Sequence, residues 1–271
     1  MSITIGLNPY IMEVPFRIAW YGILIIAALA LSLFIALKLA KKYDLDSSHV
    51  LSLSLATIPG GLIGARLFHV IDKFDFYLAN PKLIPLFWEG GFSQYGMIIG
   101  GLVSALLYAY WQKLPFIKFL DLIPVPVLVG LSIGRIGCSI QGCCHGSPTG
   151  LPWAFIFTHP HSFITPELRG VPVHPTQAYE IVWFLSLAGI LLGLRQYLQP
   201  IKGMSFLSFL IGHSIGRFII MFFRGDYPEL QILAGLTQAQ IIALVIFFIS
   251  TPLLFTYCRK ARREKKSSFS P

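Results

Sequence analysis

Charge is what this sequence has least of. Only 12% of its 271 residues are Asp, Glu, Lys or Arg, against 55% hydrophobic residues with 22 Phe among them. That balance excludes a soluble domain of this size and implies a polytopic membrane protein. A basic start is missing too: Glu13 and Arg17 precede the first apolar run, whereas Lys38, Lys41 and Lys42 follow it. This argues against a cleaved secretory signal and for a retained anchor with its N-terminus outside. No internal repeat relates one half of the chain to the other, which counts against an anion or lipid transporter built from paired repeats. Cysteines number four, and three of them, Cys138, Cys143 and Cys144, crowd into one short stretch.

In place of charge there are long apolar runs, near 18–38, 50–71, 91–111, 121–138, 177–197, 203–223 and 236–257. Each approaches the roughly 20 helical residues that a bilayer's hydrocarbon core requires. They predict an all-α fold of seven transmembrane helices in a single domain, 1–258, with a basic tail at 259–271. Lys38, Lys41, Lys42, Lys113, Lys118, Arg195, Lys202 and the cluster from Arg259 to Lys266 fall on one side, which the positive-inside rule makes cytoplasmic. The other connections mix Lys73, Lys82, Arg169 and Arg224 with Asp72, Asp75, Glu89, Glu167, Asp226 and Glu229. The N-terminus and the 146–175 connection are therefore expected outside, and the C-terminus in the cytoplasm. The formal net charge of +9 then belongs mostly to a rim facing anionic lipid headgroups, not to a nucleic-acid surface.

Against this background the stretch Gly134–Gly146 stands out as chemistry. An arginine in mid-span costs about 2.5–3.5 kcal/mol on insertion scales, so it normally pairs, lines a cavity or binds something. Arg135 ends one apolar run, and Arg66 and Arg217 lie in two others, each preceded by small residues (Gly60–Arg66 and Gly212–Arg217). The pattern predicts three helices packed closely about one polar pocket. Gly137, Gly142 and Gly146 let the backbone leave helical geometry and expose N–H groups beside a charge, which is an anion site. Two further segments are polar where apolar residues would be expected. Trp88–Gly96 opens the third span with glycines, Gln94 and Tyr95. The proline-rich connection after Gly146 ends in His174-Pro175-Thr176-Gln177-Ala178-Tyr179-Glu180, where Thr176 suits a helix N-cap and Glu180 the positive end of the helix dipole.

Each of these residues also has a plainer reading. Trp20 and Tyr21 fit an interfacial belt, unless the Tyr21 hydroxyl finds a partner deeper in the protein. His174 can anchor a turn before proline, or act as base or phosphate contact. Arg66 can pair with an outer carboxylate or meet substrate. Cys138, Cys143, Cys144 and His145 can be packing or site-lining thiols or form a disulfide between Cys138 and Cys143 or Cys144. No metal or cofactor is expected, since Cys-x4-Cys-Cys-His is not an established metal spacing.

In their shared order these segments resemble the prolipoprotein diacylglyceryl transferases, seven-span inner-membrane enzymes. The resemblance covers nearly the whole chain. It rests on Trp20-Tyr21-Gly22, Gly64-Ala65-Arg66, Glu89-Gly90-Gly91 with Gly96 and Gly100, Gly134-Arg135-Ile136-Gly137, Gly146, His174–Glu180, Gly216-Arg217 with Phe222-Phe223-Arg224, and Gln240. It implies transfer of the diacylglyceryl group of phosphatidylglycerol to the lipobox cysteine of a preprolipoprotein, with release of glycerol phosphate. It places Arg135 and Arg217 at the developing phosphate dianion and Tyr21, Arg66, Gly137, Gly146, Gln177 and Glu180 toward the lipid.

The resemblance breaks at chemical positions. The family's usual histidine base is replaced by Tyr95, its asparagine by Cys138, a glutamate by Cys143, and a carboxylate beyond the second arginine by Met221, which points to a Cys-Cys subfamily. Tyr95, with a phenol pKa near 10 unless arginines depress it, is expected as proton relay, with His145 and His174 as competing bases. A paralogue using the same donor with a different acceptor is the alternative.

Overall fold

The computed structural model describes residues 2–12, 18–86, 91–198, 201–226, 231–233 and 235–267. Strands β1 (Ile3–Ile5), β2 (Tyr10–Met12) and β3 (Ile18–Ala19) lead into α1 (Trp20–Ala40). Next come α2 (Ser47–Asp72), α3 (Phe74–Ala79), α4 (Gln94–Trp111), α5 (Phe116–Leu122) and α6 (Pro124–Gln141). Strand β4 (Phe155–Phe157) interrupts the long connection to α7 (Thr176–Gly193). Helices α8 (Arg195–Leu198) and α9 (Met204–Ile220), the hairpin of β5 (Gln231–Leu233) and β6 (Leu236–Thr237), and α10 (Gln238–Ser267) complete the chain.

Six helices among the described residues are long and apolar enough to cross a membrane: Trp20–Tyr43, Ser47–Asp72, Pro124–Gln141, Thr176–Gly193, Met204–Phe223 and Gln238–Arg259. The third predicted run forms a shorter apolar helix, Gly96–Trp111. The architecture is thus a polytopic, all-α membrane protein with minor strands. The predicted polar start of that third run falls largely outside the described residues, because residues 87–90 and the Gln94 and Tyr95 side chains are not among them.

Boundaries moved where proline and glycine dictate. The run expected at 121–138 becomes a helix over Pro124–Gln141, because Pro124 favours a first-turn position and Gly142, at φ 83°, closes the helix in the left-handed conformation. Asp121 is thereby left on α5, outside the span. Its buried carboxylate accepts hydrogen bonds from the backbone N–H groups of Gly203 (2.6 Å) and Phe206 (3.1 Å) and so caps α9 from a distance in sequence. The seventh predicted run continues as helix past the membrane-length segment to Ser267, taking in much of the basic tail.

The chain divides into two compact units, residues 37–119 and residues 1–36 with 120–271. In the first, α2 and α4 meet glycine to glycine. A Cβ on Gly64 would stand 2.7 Å from the Gly100 Cα, and one on Gly100 would stand 2.7 Å from the Gly64 Cα. Gly60, Gly64, Gly96 and Gly100 recur at four-residue intervals, so two backbones approach as only small residues allow in lipid. In the second unit α7 packs against both α6 and α9, and α9 packs against α10. The connection after α6 folds over its own core of Phe157, Ile164 and Val173, with β1 paired in parallel to β4 from Ile3↔Phe155 to Ile5↔Phe157.

Gly64→Leu should pry α2 from α4 and destabilise the protein by about 1–3 kcal/mol or more. Gly189→Leu on α7, where an added Cβ meets nothing within 4 Å, should be nearly silent. Thermal unfolding of the two variants in detergent checks the contrast.

Candidate active site

Glu180 lies on the inner face of α7 and is 2% exposed. A lone carboxylate there would be strongly disfavoured, but three guanidiniums surround it. Arg135 of α6 pairs with Oε2 through its Nε. Arg217 of α9 donates from Nη1 to Oε1 at 3.1 Å. Arg224, just beyond α9, places Nη1 4.0 Å from Oε1. Arg224 is also held in a two-pronged pair by Asp226, Nε to Oδ1 at 2.7 Å and Nη2 to Oδ2 at 2.6 Å. Among the described residues, three guanidiniums thus converge on Glu180, and Asp226 holds one of them. Arg224 is 2% exposed, but Arg135 and Arg217 keep 19% and 23% of their side chains accessible. Those two guanidiniums are therefore the accessible ones of the three.

Local sequence explains how three elements converge on one carboxylate. Trp183, three residues past Glu180 and so on the same face of α7, donates from its indole N–H to the Gly212 carbonyl at 3.0 Å. Its ring lies against Gly216, where any Cβ would collide with it. Gly216 therefore brings α9 onto α7, and the next residue, Arg217, reaches Glu180.

The turn after α6 is tied on both sides. Gly146 N–H donates to the His174 carbonyl (3.1 Å), His174 N–H to Ser147 (2.9 Å), Ser147 N–H to Phe223 (2.9 Å) and Gly225 N–H to His145 (3.0 Å). Thr176 donates its hydroxyl to the Cys144 carbonyl at 2.7 Å, and Gln177 its amide to the Cys143 carbonyl at 2.8 Å. Gly146 sits where a Cβ would meet His174 and, at 2.8 Å, the Phe223 carbonyl. Only glycine allows the three segments to approach this closely. Two details differ from expectation. Pro175, not Thr176, is the N-cap of α7, because the Thr176 hydroxyl is used on Cys144. Glu180 lies beyond the first turn, so the arginines and not the helix dipole neutralise it.

The other predicted residues are distributed as follows. Tyr21 of α1 packs against Gly137, where an added Cβ would stand 3.0 Å from Tyr21 Cδ2. Arg66 belongs to the 37–119 unit. There it donates to the carbonyls of Leu83 (2.5 Å), Ile84 (2.9 Å) and Gly91 (3.2 Å) and lies over the Tyr77 ring. The Tyr95 side chain lies outside the described residues. His145 is buried with Nε2 3.1 Å from the Thr165 hydroxyl and Nδ1 3.0 Å from the Gly146 carbonyl oxygen. His174 stands 3.3 Å from the Tyr179 hydroxyl, which accepts a hydrogen bond from Trp153. Burial holds the His174 ring below the ordinary histidine pKa. The three cysteines gather beside Arg135, whose Nη1 is 3.8 Å from the Cys138 Sγ. Hydrogen bonds from Cys138 and Cys143, then the charges of Arg224 and Arg135, hold the Cys144 thiol below its ordinary pKa, while hydrogen bonds to its two neighbours push the Cys143 thiol up.

Arg224 and Asp226 are the residues that sequence reasoning undervalued. Both read as loop charges, although an Arg-Gly-Asp triplet directly after an apolar run was a signal for a paired charge. Glu180→Gln would leave the buried guanidiniums with too little counter-charge. It should cost about 3–5 kcal/mol, measured as a lowered unfolding midpoint in detergent.

The sequence matches the family described as prolipoprotein diacylglyceryl transferase over residues 9–256. It is 32% identical over 252 residues to a phosphatidylglycerol–prolipoprotein diacylglyceryl transferase of Dehalococcoides mccartyi, covering 92% of this chain and 93% of that protein. A namesake from Oceanobacillus iheyensis is 33% identical over 257 residues, 93% and 88% of the two chains. Another from Symbiobacterium thermophilum is 30% identical over 270 residues, 99% of each. The arginines buried in apolar helices, the glycines that bring them together and this match across nearly the full length agree: the chain belongs to the prolipoprotein diacylglyceryl transferase family.

Proposed function

We propose that this protein moves the diacylglyceryl group of phosphatidylglycerol onto the cysteine thiol of a prolipoprotein. The observation that carries the reading is the convergence of two partly accessible guanidiniums, Arg135 and Arg217, on Glu180. A phosphodiester carries one negative charge, which accessible guanidiniums bind. In the reaction the acceptor sulfur attacks the glyceryl CH₂ that bears the phosphate. A C–S bond forms, the C–O bond breaks, and its electron pair leaves on glycerol phosphate, which becomes a dianion. Guanidiniums bind phosphate oxygens in two-pronged fashion and stabilise that second charge as it develops. Tyr21, Gly137, Gly146, Gln177 and Glu180 are assigned here to shaping the lipid site around the two arginines. Arg66 is carried as a further candidate lipid contact.

Seven spans, with Gln94–Trp111 as the third, an outer N-terminus and a cytoplasmic C-terminus complete this reading. They rest on the Lys and Arg bias of the connections 38–42, 113–118, 195–202 and 259–266. The protein is then a multi-pass protein of the bacterial inner membrane whose arginine site opens toward the outer side. Membrane lipid is both its solvent and the source of its donor.

Purified protein given phosphatidylglycerol and a lipobox peptide should release glycerol phosphate and add diacylglyceryl to the peptide. Arg135→Ala and Arg217→Ala should each lower that rate at least about 100-fold. Phosphatidylglycerol consumed without any peptide product would instead favour a different acceptor.

The acceptor thiol must lose its proton, and Tyr95, His145 and His174 are the proposed carriers. His174 is held below the usual histidine pKa by burial, so it is neutral and able to accept a proton at neutral pH. Activity that needs neutral His174 should be lost as pH falls through a midpoint lower than an ordinary histidine would give. His174→Gln should remove that acidic limb from the pH–rate profile. An unchanged limb in His174→Gln, with loss of it in His145→Gln or of activity in Tyr95→Phe, assigns the proton to one of the others.

A further inference from the structure

The three cysteines beside Arg135 take no part in holding the arginine–carboxylate cluster, yet they are brought together tightly. Cys138 lies in the last turn of α6, and Cys143 and Cys144 follow the left-handed Gly142. The three Sγ atoms lie within 4.8 Å of one another, and all three are free thiols, buried or half-buried. The backbone enforces this convergence. Cys144 sits at φ 61°, in the left-handed region that side chains other than Gly, Asn and Asp usually avoid. The carbonyls of Cys143 and Cys144 are pinned by Gln177 and Thr176.

Sulfurs sharing one ion at about 2.3 Å stand about 4 Å apart. A contraction of less than about 1 Å would therefore close this group on a metal. The ligand number limits which one. His145, next in sequence, is turned to Thr165 and to the Gly146 carbonyl, and among the described residues the ligand group consists of the three cysteines alone. A closed zinc site takes four protein ligands, whereas monovalent copper, which soft thiolates also select, is satisfied by three. The arginines do not forbid it. Three thiolates around a monovalent ion make an anionic complex, which nearby guanidiniums stabilise. The contact from Arg135 Nη1 to Cys138 Sγ at 3.8 Å is the kind of outer hydrogen bond that orients a ligand.

We propose that Cys138, Cys143 and Cys144 form a trigonal thiolate site for a soft monovalent ion of the copper(I) type, adjoining the arginine cluster through Arg135. The site does not depend on the transferase reading. The spacing Cys-x4-Cys-Cys-His fits no familiar metal motif because the histidine is not a ligand and the turn at Gly142, not a finger, brings the sulfurs together.

The test uses full-length protein, purified in detergent, reduced and kept anaerobic. Titrated with copper(I) bicinchoninate, it should withdraw one copper per chain and develop a thiolate-to-copper ultraviolet band. Bound copper should shield three of the four thiols from a thiol reagent. Cys138→Ser, Cys143→Ser and Cys144→Ser should each weaken copper binding about 100-fold, while Cys258→Ser should leave it unchanged. The shielding measured on unaltered protein does not depend on any variant folding. No copper uptake by the reduced protein, uptake that survives replacement of all three cysteines, or a preference for zinc over copper would overturn the proposal.

Discussion

The ion cluster at Glu180 is the constraint on which the rest of the second unit depends. Arginine in an apolar helix and a carboxylate buried at 2% exposure are each costly alone, and each removes the other's cost. The pairing also acts as a fastener. Arg135 brings α6, Glu180 α7, and Arg217 and Arg224 the end of α9 to one point. Because lipid tails are as apolar as the helix surfaces, hydrophobicity alone would not choose that arrangement over its competitors. A buried charge network with one satisfactory geometry does choose it.

Glycine makes the geometry reachable. Gly216 admits the Trp183 ring, Gly146 admits the His174 and Phe223 backbones, and Gly137 admits Tyr21. In each case an absent side chain converts a helix or turn surface into a contact surface, and a charged residue stands beside it or is delivered by it. The 143–147 turn is thereby crosslinked by backbone hydrogen bonds to the start of α7 and to residues 223–225, so the arginines and the thiols share one rigid support.

How much of this was legible follows from what each signal measures. Apolar run length is a property of sequence alone, so the membrane class and the approximate helices were readable, and the errors at 121–138 and 177–197 are local stops set by Pro124, Gly142 and the end of α7 at Gly193. Arg66 and Arg135 look alike in sequence, each after small residues in an apolar run. Yet Arg66 turns its donors to three backbone carbonyls, and Arg135 turns to Glu180 and Cys138. Nothing local distinguishes a clamp from a charge cluster, because the partners, Cys138 apart, lie 17 to 45 residues away. Arg224 and Asp226 were hidden for the opposite reason: charges just beyond a span are ordinary, and only the fold reveals that Arg224 is buried. The crowding of the three cysteines was legible in the sequence; that their sulfurs meet as free thiols depends on the left-handed turn at Gly142.

The charge balance at Glu180 bears on how such a site can favour reaction over mere binding. A cluster with several unpaired arginines would hold phosphatidylglycerol tightly and hold its product more tightly still. Here Glu180 meets three guanidiniums and Asp226 holds one of them, so the arginines are partly neutralised before any phosphate arrives. As the glyceryl C–O bond breaks, the phosphate gains a second negative charge while the guanidiniums stay in place. The attraction therefore grows along the reaction coordinate without any added ground-state binding, and interactions that strengthen toward the transition state are the ones that accelerate the chemical step. In the proposed reaction Glu180 and Asp226 would act through the arginines they hold, since they carry the wrong sign to touch phosphate.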